Sequence, residues 1–162
     1  MDFLRQNREL ATLLNVALAM LLGAIIGLER ELENKPAGLR THMLVAGSAT
    51  LFVSLGSVLV ESYIRGVGGA YVRADPVRIV QATIIGVSFL GAGTIFFRRT
   101  DNYIEGLTTA ASILFTTALS VSVALSQFIL AVGATVLVLI TLHFLGKLEV
   151  RFERRRREEP CD

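Results

Sequence analysis

Three stretches of this chain, Leu10 to Leu28, Thr41 to Val60 and Ile79 to Phe97, contain no Asp, Glu, Lys or Arg, and Gly106 to Gly146 runs on for 41 positions without one. A helix needs ~20 residues to cross the hydrocarbon core of a bilayer. Each of the first three runs therefore suits one crossing, and the fourth suits two, with Ser120, Ser122, Ser126 and Gln127 marking a turn in its middle. The runs are too long for strands and lack period-two alternation. With 52% hydrophobic and 19% charged residues among 162, a water-soluble domain could not hide this apolar surface or show a polar stripe on each helix. The expected fold is all-α, a five-helix transmembrane bundle over 10–146. Its helices are placed at 10–28, 41–60, 79–97, 106–124 and 127–146, with a short outer tail at 1–9 and a basic cytoplasmic tail at 147–162.

The charges gather between the runs. Glu29, Arg30, Glu31, Glu33, Lys35 and Arg40 crowd the loop between the first two helices. Five crossings place Arg5, Arg8, Arg65, Arg73 and Arg78 on one side. Arg30, Lys35, Arg40, Arg98, Arg99, Lys147, Arg151 and Arg154 to Arg157 fall on the other. Basic residues concentrate on the cytoplasmic side, so the N-terminus is expected outside and the C-terminus inside. The basic tail would lie against anionic lipids; as a stop-transfer flank it gives no reason to expect nucleic-acid binding. No cleavable signal peptide is expected, because the first run is long enough to span and lacks a small-residue cleavage site. Cys161 is the single cysteine, which excludes an intrachain disulfide and a CxxC site.

Displacing the chain by 68 positions aligns the first pair of helices with the second without gaps. Leu22-Gly23-Ala24 falls on Leu90-Gly91-Ala92, Arg30 on Arg98, Asn34 on Asn102, and Gly38-Leu39-x-Thr41 on Gly106-Leu107-x-Thr109. Leu51, Val53 and Ser54 fall on Leu119, Val121 and Ser122. Such a repeat of two spans would be parallel, related by rotation about the membrane normal. Both G-L-x-T copies would start helices at the cytoplasmic surface, with Thr41 and Thr109 as caps. Two helix N-termini beside Arg40 and His42 would then converge. This spacing suits either plain capping with lipid contact or a shared anion site. Small residues suggest packing faces in both halves: Gly23 and Gly27 in the first helix, Gly86, Gly91 and Gly93 in the third. Gly91-Ala92-Gly93 is alternatively a break in the third helix.

The segments GLERE, KPAGLRTHMLV, DPVRIVQATIIGVSFLGAG and IEGLTTAAS, in this order, resemble the MgtC/SapB family of bacterial membrane proteins. The resemblance covers most of Gly23 to Ser112. It implies a five-helix domain in the bacterial inner membrane linked to magnesium homeostasis. Some members act as regulators of other membrane machines and carry a soluble domain after the fifth helix. The polar positions it singles out are Glu29, Arg30, Arg40, Thr41, His42, Asp75, Arg78, Gln81, Thr108 and Thr109. Each also has a plain reading: Glu29-Arg30 and Asp75-Arg78 as local ion pairs at helix ends, Pro76 in a first helical turn, His42 as an interfacial residue. Gln81 would need a partner helix or water, and Glu29 and Glu105 are expected to hold Arg40.

Two histidines and one tail cysteine offer no nucleophile–base pair, and Asp75 and Glu29 fall at opposite membrane faces, so no enzyme is expected. A regulatory, partner-binding membrane factor is the leading reading, and an ion transporter or channel subunit the alternative. Magnesium binds through one or two carboxylates, and every Asp and Glu lies at a span end or in a loop. No cofactor is expected, magnesium association is open, and a homo-oligomer or a complex with another membrane protein is expected.

Overall fold

The structure, a computed structural model, describes residues 2–66, 75–98 and 103–158. Five helices follow one another: α1 (Asp2–Leu32), α2 (Leu39–Gly66), α3 (Pro76–Ala92), α4 (Leu107–Ala124) and α5 (Phe128–Glu158). A short antiparallel ribbon, β1 (Phe96–Arg98) with β2 (Tyr103–Glu105), joins α3 to α4 and pairs Phe97 with Ile104. The all-α five-helix bundle is what the uncharged runs predict. Three of its helices are long and apolar enough to cross a membrane, and α3 and the described apolar part of α5 are shorter.

Helix ends follow local chemistry. Asn34 takes a left-handed conformation (φ 53°) after α1, and the N–H groups of Asn34 and Lys35 return to the carbonyls of Glu31 and Arg30 at 3.0 and 2.9 Å. That pair of bonds closes the helix, and Pro36 follows where a helix cannot resume. The α4–α5 turn repeats the device: Ser126 has φ 60°, and Ser126 and Gln127 donate to Val123 and Ser122. Asp75 caps α3 by accepting the Val77 N–H at 3.0 Å, with Pro76 in the first turn.

Several expected boundaries shift. The third helix does not reach residue 97 but ends at Ala92, where the Thr94 N–H and hydroxyl both turn back to the Gly91 carbonyl. The fifth does not stop at 146; α5 runs to Glu158, because no glycine or proline interrupts the chain between Gly146 and Pro160. The N-terminal segment is likewise helical from Asp2, continuous with α1. Arg73, Arg99, Asn102 and Cys161, and the side chains of the basic tail, lie outside the described residues.

The bundle buries hydroxyl groups beside its apolar core and exposes large apolar side chains. Ile129 is 93% and Phe89 85% exposed, whereas Thr50, Thr116, Thr117 and Ser120 are fully buried. A surface of this kind belongs in hydrocarbon, not water. The buried hydroxyls are satisfied along their own helix: Thr116 donates to the Ser112 carbonyl, Thr117 to Ile113 and Ser120 to Thr116. The apolar core joins Ala19, Leu22 and Ile26 of α1 to Ala46 of α2, Leu119 and Val123 of α4, and Ala131 and Val138 of α5. No residue of α3 enters it.

Candidate functional site at the first hairpin

The polar cluster that joins α1, α2 and α4 is built on close approach of backbones. A Cβ added to Gly23 would stand 2.6 Å from the His42 carbonyl oxygen, and one added to Gly27 2.8 Å from Leu39 Cα. Only glycine lets α1 lie this close to the first turns of α2. Arg30, 3% exposed, donates from Nε and Nη2 to both carboxylate oxygens of Glu29 at 2.5 and 2.7 Å. This two-point pairing of adjacent residues neutralises the buried cation. Glu29 is thereby engaged by Arg30 and does not hold Arg40, which is exposed in the first turn of α2.

His42 is fully buried between α2 and α4. Its Nδ1 lies 2.9 Å from the Gly38 carbonyl and its Nε2 3.0 Å from Ser112 Oγ. A carbonyl can only accept, so Nδ1 carries the proton and, in the neutral ring, Nε2 accepts from the Ser112 hydroxyl. That hydroxyl also lies 2.8 Å from the Thr109 carbonyl, to which it would turn if Nε2 became a donor. Eight residues further along each helix, the Thr50 hydroxyl donates to the Ser120 carbonyl at 3.1 Å. These two cross-helix bonds keep the same offset, so α2 and α4 run parallel and begin side by side.

The two G-L-x-T segments therefore do come together, but not with threonine caps. Helices α2 and α4 start at Leu39 and Leu107, which puts Thr41 and Thr109 inside the first turn instead of before it. The Leu39 N–H is capped by Glu31 Oε2 at 2.8 Å, and Gly106 precedes α4 without a side-chain cap. Thr109 is buried, Thr108 exposed, and Glu105 partly exposed at the end of β2. Asp75 and Arg78 sit at the first turn of α3; Asp75 serves as its cap. Gln81 points outward on α3 among Val77, Val80, Ile84 and Ile85, away from the cluster.

Of the expected packing glycines in α3, Gly86 faces open space, with nothing within 4 Å of an added Cβ. Gly91 meets Ala110 at an ordinary 3.6 Å, and Gly93 is the helix C-cap. Two members of the polar cluster escape sequence reasoning. Ser112 could have been found from the hydroxyl stripe Thr109, Ser112, Thr116, Ser120 at helical spacing; nothing distinguishes Glu31 from its acidic neighbours. No three His, Cys, Asp or Glu side chains come together to hold a metal among the described residues.

The sequence profile of the MgtC family matches residues 16–151, which span all five helices. The chain belongs to the MgtC family. It is 38% identical over 127 residues to Protein MgtC of Salmonella typhimurium (strain LT2), covering 78% of this chain and 49% of that protein. To Protein SapB of Bacillus subtilis (strain 168) it is 36% identical over 136 residues, with 82% and 56% covered. To the Putative magnesium transporter YhiD of Escherichia coli (strain K12) it is 32% identical over 139 residues, with 86% and 62% covered. The chain thus spans about half to three-fifths of the length of these relatives. No solved structure matches it. Family membership and the apolar helices make it a membrane protein.

Proposed function

We propose that this MgtC-family chain is a non-enzymatic factor of the bacterial inner membrane, with its C-terminus cytoplasmic, that serves magnesium homeostasis by binding a partner at the α1–α2 end. The observation that carries this reading is the bonded seam between α2 and α4. His42–Ser112 and Thr50–Ser120 tie the two central helices together, and the hydroxyls along α4 are taken up by carbonyls. Two bonds across α2 and α4 support a role in which these helices stay together, while Arg40 stands exposed near the start of α2. A planar guanidinium there suits a carboxylate or phosphate of a partner. The magnesium link comes from the family and from the printed name of the Escherichia coli relative. That name also favours a second reading, transport, which would need a path between copies or a reopened seam.

Growth at limiting magnesium tests the first reading, with membrane abundance measured alongside. Arg40→Ala is expected to abolish growth support at unchanged abundance, and Arg65→Ala to preserve it. Equal tolerance of both changes would move the site elsewhere. Magnesium flux into liposomes holding the purified chain alone would replace partner binding with transport.

A further inference from the structure

The α2–α3 side of the bundle carries a cavity of about 730 Å³, lined by Leu44, Phe52, Ala82, Gly86 and Leu90, with Arg78 at one end. From Arg78 to Leu90 its α3 wall is about 18 Å long at ~1.5 Å per residue. The corresponding side of the molecule, between α1 and α4, is covered by α5, which leaves no further described helix to fill this one. We propose that the groove is a binding site for one anionic phospholipid, its acyl chains along α3 and its phosphate at Arg78.

Three features select this occupant. The lining is mostly apolar, its polar members besides Arg78 being Ser48 and Thr83, whose hydroxyl already donates to the Ile79 carbonyl. The single charge stands at one end and is cationic, which complements an anionic amphiphile. Asp75 already takes the Val77 N–H, so the guanidinium of Arg78, and not the bare helix end, is the phosphate's partner. Flexible chains can fill the space left by Gly86, where an added Cβ meets nothing within 4 Å.

Native mass spectrometry of the 162-residue chain in mild detergent, offered phosphatidylglycerol or phosphatidylcholine with identical acyl chains, tests the proposal. One phosphatidylglycerol per chain is expected to be retained, with a preference of about five-fold over phosphatidylcholine, the worth of one basic contact near the surface. Gly86→Leu, which fills the groove, should cut retention of both lipids at least ten-fold without lowering the melting temperature. Arg78→Gln changes an exposed side chain; it should keep the chain folded, equalise the two lipids and leave chain occupancy in place. Unchanged retention in Gly86→Leu overturns the site, and persistence of the preference in Arg78→Gln overturns the role of the arginine. A dimer that Gly86→Leu dissociates would assign the groove to a second copy instead.

Discussion

The two helical hairpins share one sequence register and differ in how tightly they close. In the first, Gly23 lies against His42; in the second, the equivalents Gly91 and Ala110 face each other. The contact recurs, but an added Cβ would stand 2.6 Å from backbone in the first hairpin and 3.6 Å in the second. One turn further on, the first hairpin has Gly27, where a Cβ would approach α2 backbone at 2.8 Å, and the second has Ile95 at the equivalent position. A branched side chain cannot occupy that gap. Helix α3 accordingly ends at Ala92 and the chain leaves as β1, whereas α1 continues to Leu32 and closes on a tight turn. The contrast teaches that a repeat can preserve helix order while a single glycine decides how closely, and over how many turns, its helices approach. The tight hairpin carries the buried polar cluster; the groove lies between the hairpins, where α3 meets α2.

Gly27→Ile, which gives the first hairpin the residue of the second, should break the comparison most. Overpacking against backbone costs about 3 kcal/mol here, at the top of the usual range, and should appear as loss of folded protein from the membrane. Gly91→Ala, with room at 3.6 Å, should leave the melting temperature within a few degrees. An equal loss in both variants would mean that the hairpins are equally tight.

The connections differ in the same sense. Gly106 has φ 95°, and its added Cβ would fall inside the Thr94 carbonyl, whereas at Gly38 the nearest atom, 2.8 Å away, is the end of the Glu31 side chain. Gly106→Ala should therefore cost about 2 kcal/mol through strain and backbone displacement. Gly38→Ala should cost under about 1 kcal/mol because a flexible carboxylate can move. Thermal unfolding in detergent checks both; a larger loss at Gly38 would show that the Glu31 cap, not the turn, holds the loop.

The smallest expected effect sharpens the role of the seam. Ser112→Ala removes the partner of His42 Nε2 and should cost roughly 0.6–1 kcal/mol, the usual worth of one side-chain hydrogen bond between membrane helices. A shift of only a degree or two in melting temperature, together with altered growth at low magnesium, would separate a functional histidine–serine pair from a structural one. No change in either measurement would reduce the pair to packing.

By itself the sequence determined the five helices, the parallel order of the two hairpins and the gathering of polar groups at the end near Gly38. These follow from uncharged length, from a 68-residue offset and from turn chemistry, all local or linear properties of the chain. Gly23 and Gly27 were legible as a packing face because small residues at four-residue spacing have one common use in lipid. Tertiary structure alone decided which side chains meet. Glu29 turns to its neighbour Arg30, Glu31 caps α2, and His42 finds Ser112 seventy residues away. It also decided that Gly86, with the same spacing signal, faces a groove. The physical reason is that helix periodicity fixes the face a residue occupies but not what stands opposite. That is set by how closely the helices approach: a Cβ added at the shared glycine would stand 2.6 Å from the facing backbone in one hairpin and 3.6 Å in its repeat.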